Sequence, residues 1–211
     1  MPGKNIRELC GQPLLSYPIR TALESSYIDD VMVSTDCDEI AAVAKDCGAG
    51  VMMRSAELAS DTSMVADVLR DLLARTETRY DYMVLLEATS PLRTVKEVDE
   101  CIELIVSEGL DSVATFSVAE PPPTRLWKFN EGRVATYLDG ANPWLPRQLH
   151  EEAYFLNGLV YVFDVQAFLK SKSDFIFFDE KSAVVTDHPC VDIDTIDDFE
   201  LAAYLMEKSN G

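Results

Sequence analysis

Short apolar runs alternate along the chain with segments of helical period, and this alternation limits the possible folds more than any other feature of the sequence. Strand-like composition is found at residues 31–35, 51–53, 82–86, 111–118 and 155–163. Helical period is found at residues 38–47, 61–75, 94–106 and 195–206. Because strands that alternate with helices pair in parallel through helical crossovers, the pattern predicts an α/β fold. A chain of 211 residues can build one core, so residues 1–211 are predicted to form a single domain.

Several predicted helices begin at residues that suit the first turn. Asp61 stands where its side chain can cap the helix that follows, and Thr94 precedes Glu97 in capping-box spacing. Pro18 lies within an apolar segment, where the interior of a helix would lose a hydrogen bond. We therefore expect that helix to begin near Ser16, which places Pro18 in its first turn.

From residue 121 to about residue 152 the pattern changes. This segment contains prolines, both tryptophans of the chain and an Asn-Glu-Gly turn between short alternating stretches. Turns of this composition are typical of hairpins. We expect an inserted hairpin or arm here, of a kind that often forms an interface.

Charge and composition exclude several kinds of partner and location. Lys and Arg number 18 against 37 Asp and Glu, which gives a formal net charge of −19 at pH 7. A field of this sign repels polyanions, so we expect no nucleic acid and no membrane as partners, and an anionic substrate needs a local group of cations. No apolar run approaches the roughly 20 residues of a membrane span. The five scattered cysteines are typical of reduced thiols, so a cytoplasmic protein is predicted.

Two carboxylates stand close together near the end of the chain. Asp192 and Asp194 are separated by one residue, directly before the last predicted helix, whose N-cap is predicted to be Thr195. In an extended backbone both side chains point to one side and repel each other by about 3 kcal/mol at about 6 Å. A divalent cation such as Mg²⁺ converts this repulsion into attraction. The alternative is a pair of solvated acids at a helix N-terminus.

Two further polar segments follow predicted strands. Residues 87–93, Glu-Ala-Thr-Ser-Pro-Leu-Arg, connect a buried strand to a helix. The alternative, a connection without a binding role, would leave the charged side chain of Arg93 unexplained. Arg54 follows the preceding strand and stands just before residues 56–61. Ligands of open α/β sheets bind beyond the carboxyl ends of the strands. The three segments together predict a binding site at that edge.

The same segments, taken in order, carry a resemblance to a known family. They are Pro2–Asn5, Val33–Asp36, Arg54 with residues 56–61, Thr89–Arg93, residues 146–148, Asn157-Gly158 with Tyr161, and Asp192–Thr195. With this pattern the chain resembles the acylneuraminate cytidylyltransferases, or CMP-sialic acid synthetases, over nearly its whole length.

The resemblance implies a Rossmann-like, three-layer nucleotidyltransferase domain with a mostly parallel sheet and an inserted dimerisation arm. It implies Mg²⁺-dependent transfer of CMP from CTP to the anomeric hydroxyl of an acidic α-keto sugar of the nonulosonic class, with release of pyrophosphate, in a homodimer. By the same resemblance Asp192 and Asp194 bind the metal and, with Lys4, are catalytic. The nucleotide residues implied are Lys4, Asn5, Arg54 and Ser63, and the sugar residues implied are Glu87, Arg147 and Tyr161.

The chain departs from the family pattern in two places. Family members carry a first strand and a basic, glycine-rich loop before the segment that matches Pro2–Asn5, and neither stands in these 211 residues. We expect the natural protein to begin upstream, and a chain without that loop to turn over slowly. Glu87 stands where glutamine is common, and Phe155 and Leu156 replace an Arg-Pro pair. A legionaminic, pseudaminic or Kdo-type acid is therefore an alternative substrate.

Two other functions stay open from the residues. One is a sugar-1-phosphate nucleotidyltransferase, which shares the fold but acts on a sugar phosphate. The other is a catalytically impaired homologue that binds nucleotide without turnover, because the phosphate loop is missing.

Overall fold

The computed structural model describes residue 1, residues 3–60 and residues 62–209. The strands are β1 (Glu8–Leu9), β2 (Gln12–Pro13), β3 (Met32–Thr35), β4 (Gly50–Met53), β5 (Tyr82–Leu85), β6 (Ser112–Val118), β7 (Trp127–Asn130), β8 (Arg133–Thr136), β9 (Tyr154–Asp164) and β10 (Lys181–Val185). The helices are α1 (Ser16–Glu24), α2 (Asp38–Asp46), α3 (Val65–Arg75), α4 (Val95–Glu108), α5 (Val165–Ser171) and α6 (Ile196–Ser209). Short 3₁₀ helices occupy Lys4–Ile6, Ala56–Ala59, Pro123–Arg125 and Arg147–Leu149.

The central sheet has the strand order β10-β6-β9-β5, and β3 pairs with β4 in a separate parallel pair. β10 and β6 are parallel, in line with the parallel pairing predicted for the sheet, although no strand was predicted at residues 181–185. β9 is antiparallel to both of its neighbours, β6 and β5, so β5, β6 and β10 share one direction and β9 alone opposes them. The expectation of helical crossovers fails at β9 because the chain returns from β6 through residues 119–153, which contain no crossover helix.

Helices cover both faces of the sheet. On one face α4 packs against β6 and β9 through apolar side chains, among them Val98, Ile105 and Val162. On the other face α3 and α5 pack against Phe163 of β9, through residues such as Leu69 and Phe168. Neighbouring residues of β9 thus enter opposite cores, as the two-residue period of a strand requires. The predicted three-layer α/β architecture is confirmed.

The helix starts follow the predicted signals in most cases. Thr94 and Glu97 form the capping box, with each side chain bonded to the backbone N–H of the other. Pro18 lies in the first turn of α1, which begins at Ser16 as predicted. The helix predicted from residue 61 begins at Val65, so its extent was overestimated by one turn. The predicted capping residue of that helix, Asp61, lies outside the described residues.

Residues 121–152 contain the antiparallel hairpin of β7 and β8. Its apolar side chains are poorly covered: Phe129 is 77% exposed, and Trp144, which follows the hairpin, is 85% exposed. Within the described part of the chain, no helix is both long enough and apolar enough to cross a membrane.

A bulge of several extra residues interrupts β9 opposite Thr115 of β6. Ala114 pairs with Tyr161 and Phe116 pairs with Leu156, so a single residue of β6 stands opposite residues 157–160. The Thr115 hydroxyl donates to Asn157 Oδ1 at 2.7 Å and accepts the backbone N–H of residue 160 at 3.0 Å. A buried hydroxyl therefore bonds to the backbone that the bulge removes from the ladder.

Asn157 connects this bulge to the segment after β10. Its Nδ2 donates to Ser117 Oγ and to Thr186 Oγ1, both at 2.9 Å, and its Oδ1 accepts from Thr115 and from the backbone N–H of Leu159. All of these groups are buried, so each hydrogen bond replaces one that water would otherwise make.

Replacement of Asn157 by alanine is expected to lower the free energy of unfolding by about 2 to 4 kcal/mol, because it leaves several buried polar groups unpaired. Urea denaturation measures this difference. The matched control is Asn130→Ala at the exposed end of β7, which should change stability by less than about 0.5 kcal/mol. Equal stability of the two variants would contradict this account of the bulge.

Candidate active site

The predicted site residues are carried by segments that leave one edge of the sheet. Because β5, β6 and β10 run in the same direction, their carboxyl ends lie at a common edge. The segment after β5 carries Glu87, and the segment after β10 leads to Asp192 and Asp194. The backbone N–H of Ile193 donates to the carbonyl of Thr89 at 2.9 Å, which fixes the two segments against each other.

Successive side chains around Asp192 and Asp194 are alternately buried and exposed. Val191 and Ile193 enter the core, while both aspartate side chains are exposed. The two exposed aspartates thus lie on the same side of this segment, and their predicted role as metal ligands stays a prediction. Val191 and Ile193 fix this arrangement, because turning either aspartate inward would expose a buried aliphatic side chain.

Lys4 lies directly against this pair. Its Nζ donates to the carbonyl oxygen of Ile193 at 2.7 Å and to Asp194 Oδ1 at 2.9 Å. The short 3₁₀ helix that carries Lys4 follows Gly3, whose φ of 67° is in the left-handed region. Beside it, Asn5 has a buried Oδ1 without a hydrogen-bond partner among the described residues. Lys4 and Asn5 thus offer one cation and one unused polar group at the same edge.

Glu87 and Tyr161 belong to the same group. Burial raises the pKa of the Glu87 carboxyl, and the negative charge of Asp192 adds to this rise, while Arg93 and Lys4 oppose it. Burial also raises the pKa of the Tyr161 hydroxyl, with further contributions from Glu87 and Asp192. Both side chains thus feel the negative charge of Asp192.

Arg93 has a structural task that the sequence did not reveal. It is only 5% exposed, its Nε donates to the carbonyl of Leu159 and its Nη2 donates to the carbonyl of Glu87, both at 2.6 Å. Burial lowers its pKa to about 10, so it stays charged at neutral pH. The guanidinium joins the end of β5 to the bulge of β9, and so positions Glu87.

Three predicted residues lie apart from this group. Arg54 follows β4, where its Nη2 is 3.9 Å from Asp36 Oδ1 and its buried Nε has no partner among the described residues. Ser63 donates to the carbonyl of Glu57 at 2.7 Å. Arg147 is exposed on the arm and pairs with Glu120. No hydrogen bond or ion pair within the described residues connects these three to Lys4 or the aspartates, so their predicted roles stay predictions.

A cytidylyltransferase family model matches residues 1–209 of the chain. The chain belongs to this family. It is 32% identical to an N-acylneuraminate cytidylyltransferase of Streptococcus agalactiae, a match that covers 94% of the chain and 48% of the relative. It is also 32% identical to the CMP-N,N'-diacetyllegionaminic acid synthase of Legionella pneumophila, with 98% of the chain and 90% of the relative covered. The predicted family resemblance is confirmed.

Solved structures support the fold of this cytidylyltransferase family member. The chain matches a CMP:2-keto-3-deoxy-manno-octonic acid synthetase in complex with CTP, with a TM-score of 0.71 and 14% identity. The match covers 99% of the chain and 93% of the synthetase chain. At that identity the likeness establishes the fold alone. The chain spans about half the length of several of its relatives, including the streptococcal one.

The donor set of this family member suits a divalent cation that is completed by a substrate. Among the described residues, no group of three or more His, Cys, Asp and Glu side chains converges on one point. Asp192 and Asp194 supply two carboxylates, and Mg²⁺ commonly takes one or two carboxylates with the rest from phosphates and water. Burial raises the pKa of the Glu87 carboxyl and the charge of Asp192 adds to the rise, so a cation bound at the aspartates would favour the ionised form of Glu87.

Glu87→Gln is expected to raise the melting temperature at neutral pH. Because burial raises the folded-state pKa, the contribution of Glu87 to stability is present below the ordinary glutamate pKa and is lost as pH rises through the raised value. The advantage of the variant should therefore shrink from about pH 8 to about pH 5. Thermal unfolding across this pH range measures the difference in melting temperature, and Glu200→Gln, at an exposed position, is the control. A variant that is less stable than the wild type at pH 8 would contradict the raised pKa of Glu87.

Proposed function

We propose that the protein transfers CMP from CTP to the anomeric hydroxyl of a nonulosonic acid, with release of pyrophosphate, in a Mg²⁺-dependent reaction. The observation that carries the proposal is the contact of Lys4 with Asp194 at the carboxyl edge of the sheet, next to Asp192 and Glu87. Membership of the cytidylyltransferase family supports it. The proposal includes a cytoplasmic location.

In this reaction charge neutralisation and positioning do most of the work. Asp192 and Asp194 would hold Mg²⁺, which supplies positive charge to the nucleotide phosphates when it is bound. Lys4 adds a second positive charge beside Asp194, where it can bind a phosphate oxygen. Asn5, Arg54 and Ser63 are proposed to bind the rest of the nucleotide.

Glu87 and Tyr161 are proposed to face the sugar, since both lie next to the aspartate pair. A sialic-type acid is the first candidate substrate, in line with the streptococcal relative. A legionaminic-type acid is the second candidate, because the Legionella relative matches over 90% of its own length.

A homodimer is part of the proposal. The arm at residues 121–152 exposes several large apolar side chains, including Phe129 and Trp144. Such a surface is stable in water when a second molecule covers it. The arm also carries Arg147, which lies away from the aspartate pair of its own chain. In a symmetric dimer the arm would bring Arg147 toward the sugar bound by the partner.

Asp192→Asn and Asp194→Asn are each expected to lower kcat at saturating CTP and sugar by about 100-fold or more, because each removes charge from the proposed metal site. Pyrophosphate release by the full-length protein measures the effect. The control is Asp197→Asn, an exposed aspartate in the first turn of α6, which should retain wild-type turnover. Wild-type turnover in the double variant Asp192→Asn/Asp194→Asn would overturn the proposed metal site.

Phe129→Glu and Trp144→Glu are expected to shift the protein from dimer to monomer, because each places a charge on the exposed apolar surface of the arm. Sedimentation velocity over a range of concentrations measures the equilibrium. Phe175→Glu is the matched control, since Phe175 is an exposed aromatic residue outside the arm. A wild-type protein that stays monomeric at all concentrations would refute the dimer.

A further inference from the structure

The segment that carries the two aspartates has little backbone pairing of its own. Residues 186–194 join β10 to α6 and contain neither helix nor strand. Within the described part of the chain, no backbone N–H of residues 187–192 donates to a backbone carbonyl. The nearest backbone donors are Thr186, which bonds to β6, and Ile193, which bonds to the segment after β5. Side chains must therefore fix the course of the chain between these two points.

His188 supplies such a contact near the middle of the segment. Its Nε2 donates to Glu97 Oε1 at 2.8 Å, since an ionised carboxylate only accepts. Glu97 belongs to the first turn of α4, which packs on the central sheet. Two residues further on, Cys190 Sγ lies 3.4 Å from Ser117 Oγ, and a thiol is a weak hydrogen-bonding group. The stronger tie of the segment to another element is therefore that of His188.

Glu97 is held rigidly from its own side. Its side chain is only 7% exposed, and its Oε2 accepts the backbone N–H of Thr94 at 2.8 Å and the Thr94 hydroxyl at 3.0 Å. The capping box thus uses one carboxylate oxygen and leaves the other to His188. A buried carboxylate is unfavourable unless its oxygens find donors, so Glu97 holds the imidazole as firmly as the imidazole holds Glu97.

This bond links the two segments of the candidate site. α4 begins two residues after Arg93, which bonds to the carbonyl of Glu87, so Glu97 is fixed relative to the segment that follows β5. His188 stands four residues before Asp192, on the segment that follows β10. A shift of either segment alone would break the bond between Glu97 and His188.

We propose that His188 is a positioning residue for CMP transfer, which holds Asp192 and Asp194 against the segment after β5 through its bond to Glu97. This inference rests on the proposed function and deepens it, because it extends the site to a side chain that is not assigned to either substrate. Since nucleotidyl transfer depends on the placement of charge, a small displacement of the aspartates lowers turnover even in a protein that stays folded.

The first test compares three substitutions of His188 in the full-length protein. His188→Ala removes the donor, His188→Asn carries an amide too short to reach Glu97, and His188→Gln places an amide nitrogen near the position of Nε2. Pyrophosphate release at varied CTP should show kcat/KM lowered by about 10-fold in the first two variants. His188→Gln should stay within about 2-fold of the wild type, because it restores the bond.

Asp187→Ala is the matched control for these substitutions. Asp187 is the exposed neighbour of His188 on the same segment, so its loss should leave turnover at the wild-type value. All variants are assayed at a temperature at which circular dichroism shows each of them to be folded. The comparison of His188→Asn with His188→Gln then isolates the reach of the side chain from its polarity.

Hydrogen exchange measures the position of the segment without any turnover. In His188→Ala the peptides that span residues 186–195 should exchange about 10-fold faster than in the wild type, because the segment has lost its tie to α4. Peptides from β6 should exchange at the wild-type rate, since their ladder bonds are unchanged.

The outcomes separate the positioning role from the proposed function. Absence of pyrophosphate release in the wild type overturns CMP transfer, and the positioning role with it. Release by the wild type with equal kcat/KM in His188→Ala and His188→Asn overturns the positioning role alone, even if both variants melt earlier. Unchanged exchange of residues 186–195 in His188→Ala also overturns it, as does a loss of kcat/KM in His188→Gln as large as that in His188→Ala.

Discussion

The buried guanidinium of Arg93 is the interaction on which the candidate site depends. It bonds to the carbonyl of Glu87 at the end of β5 and to the carbonyl of Leu159 in the bulge of β9. Because a buried charge is costly unless it is hydrogen-bonded, those two backbone segments are held where the guanidinium requires them. Among the neighbouring carboxylates Asp194 pairs with Lys4, whereas the hydrogen bonds of Arg93 go to backbone carbonyls.

Most of the architecture was accessible from local patterns. The strand and helix periods, the Thr94–Glu97 capping box and the position of Pro18 depend on residues within one or two turns, and the structure agrees with them. The direction of β9 was not accessible in this way. Its pairing depends on β6 and β5, which are distant in sequence, and on the absence of a crossover helix in residues 119–153.

The residues of the candidate site were likewise predictable from the sequence only in part. Glu87 follows a predicted strand, and Asp192 and Asp194 precede a predicted helix. These are local signals, and the structure brings the three residues to one edge with Lys4. Thr115 and Asn157 were missed as supports, because a buried polar network is visible only when its members meet in space. Arg93 gave a partial signal: an arginine between an apolar strand and an apolar helix must be paired if it is buried.

The proposed function requires a chain of net charge −19 to bind an anionic nucleotide. Lys4 is the cation in direct contact with the aspartate pair, and its charge is shared with Asp194. A triphosphate therefore needs positive charge that arrives with it, and a divalent cation on the two aspartates meets that need. Within the described residues Lys4 makes no hydrogen bond to Glu87, and in the proposed function Glu87 faces the second substrate. In the proposed function two of these carboxylates face the nucleotide and one faces the sugar, so a single acidic edge serves two different substrates.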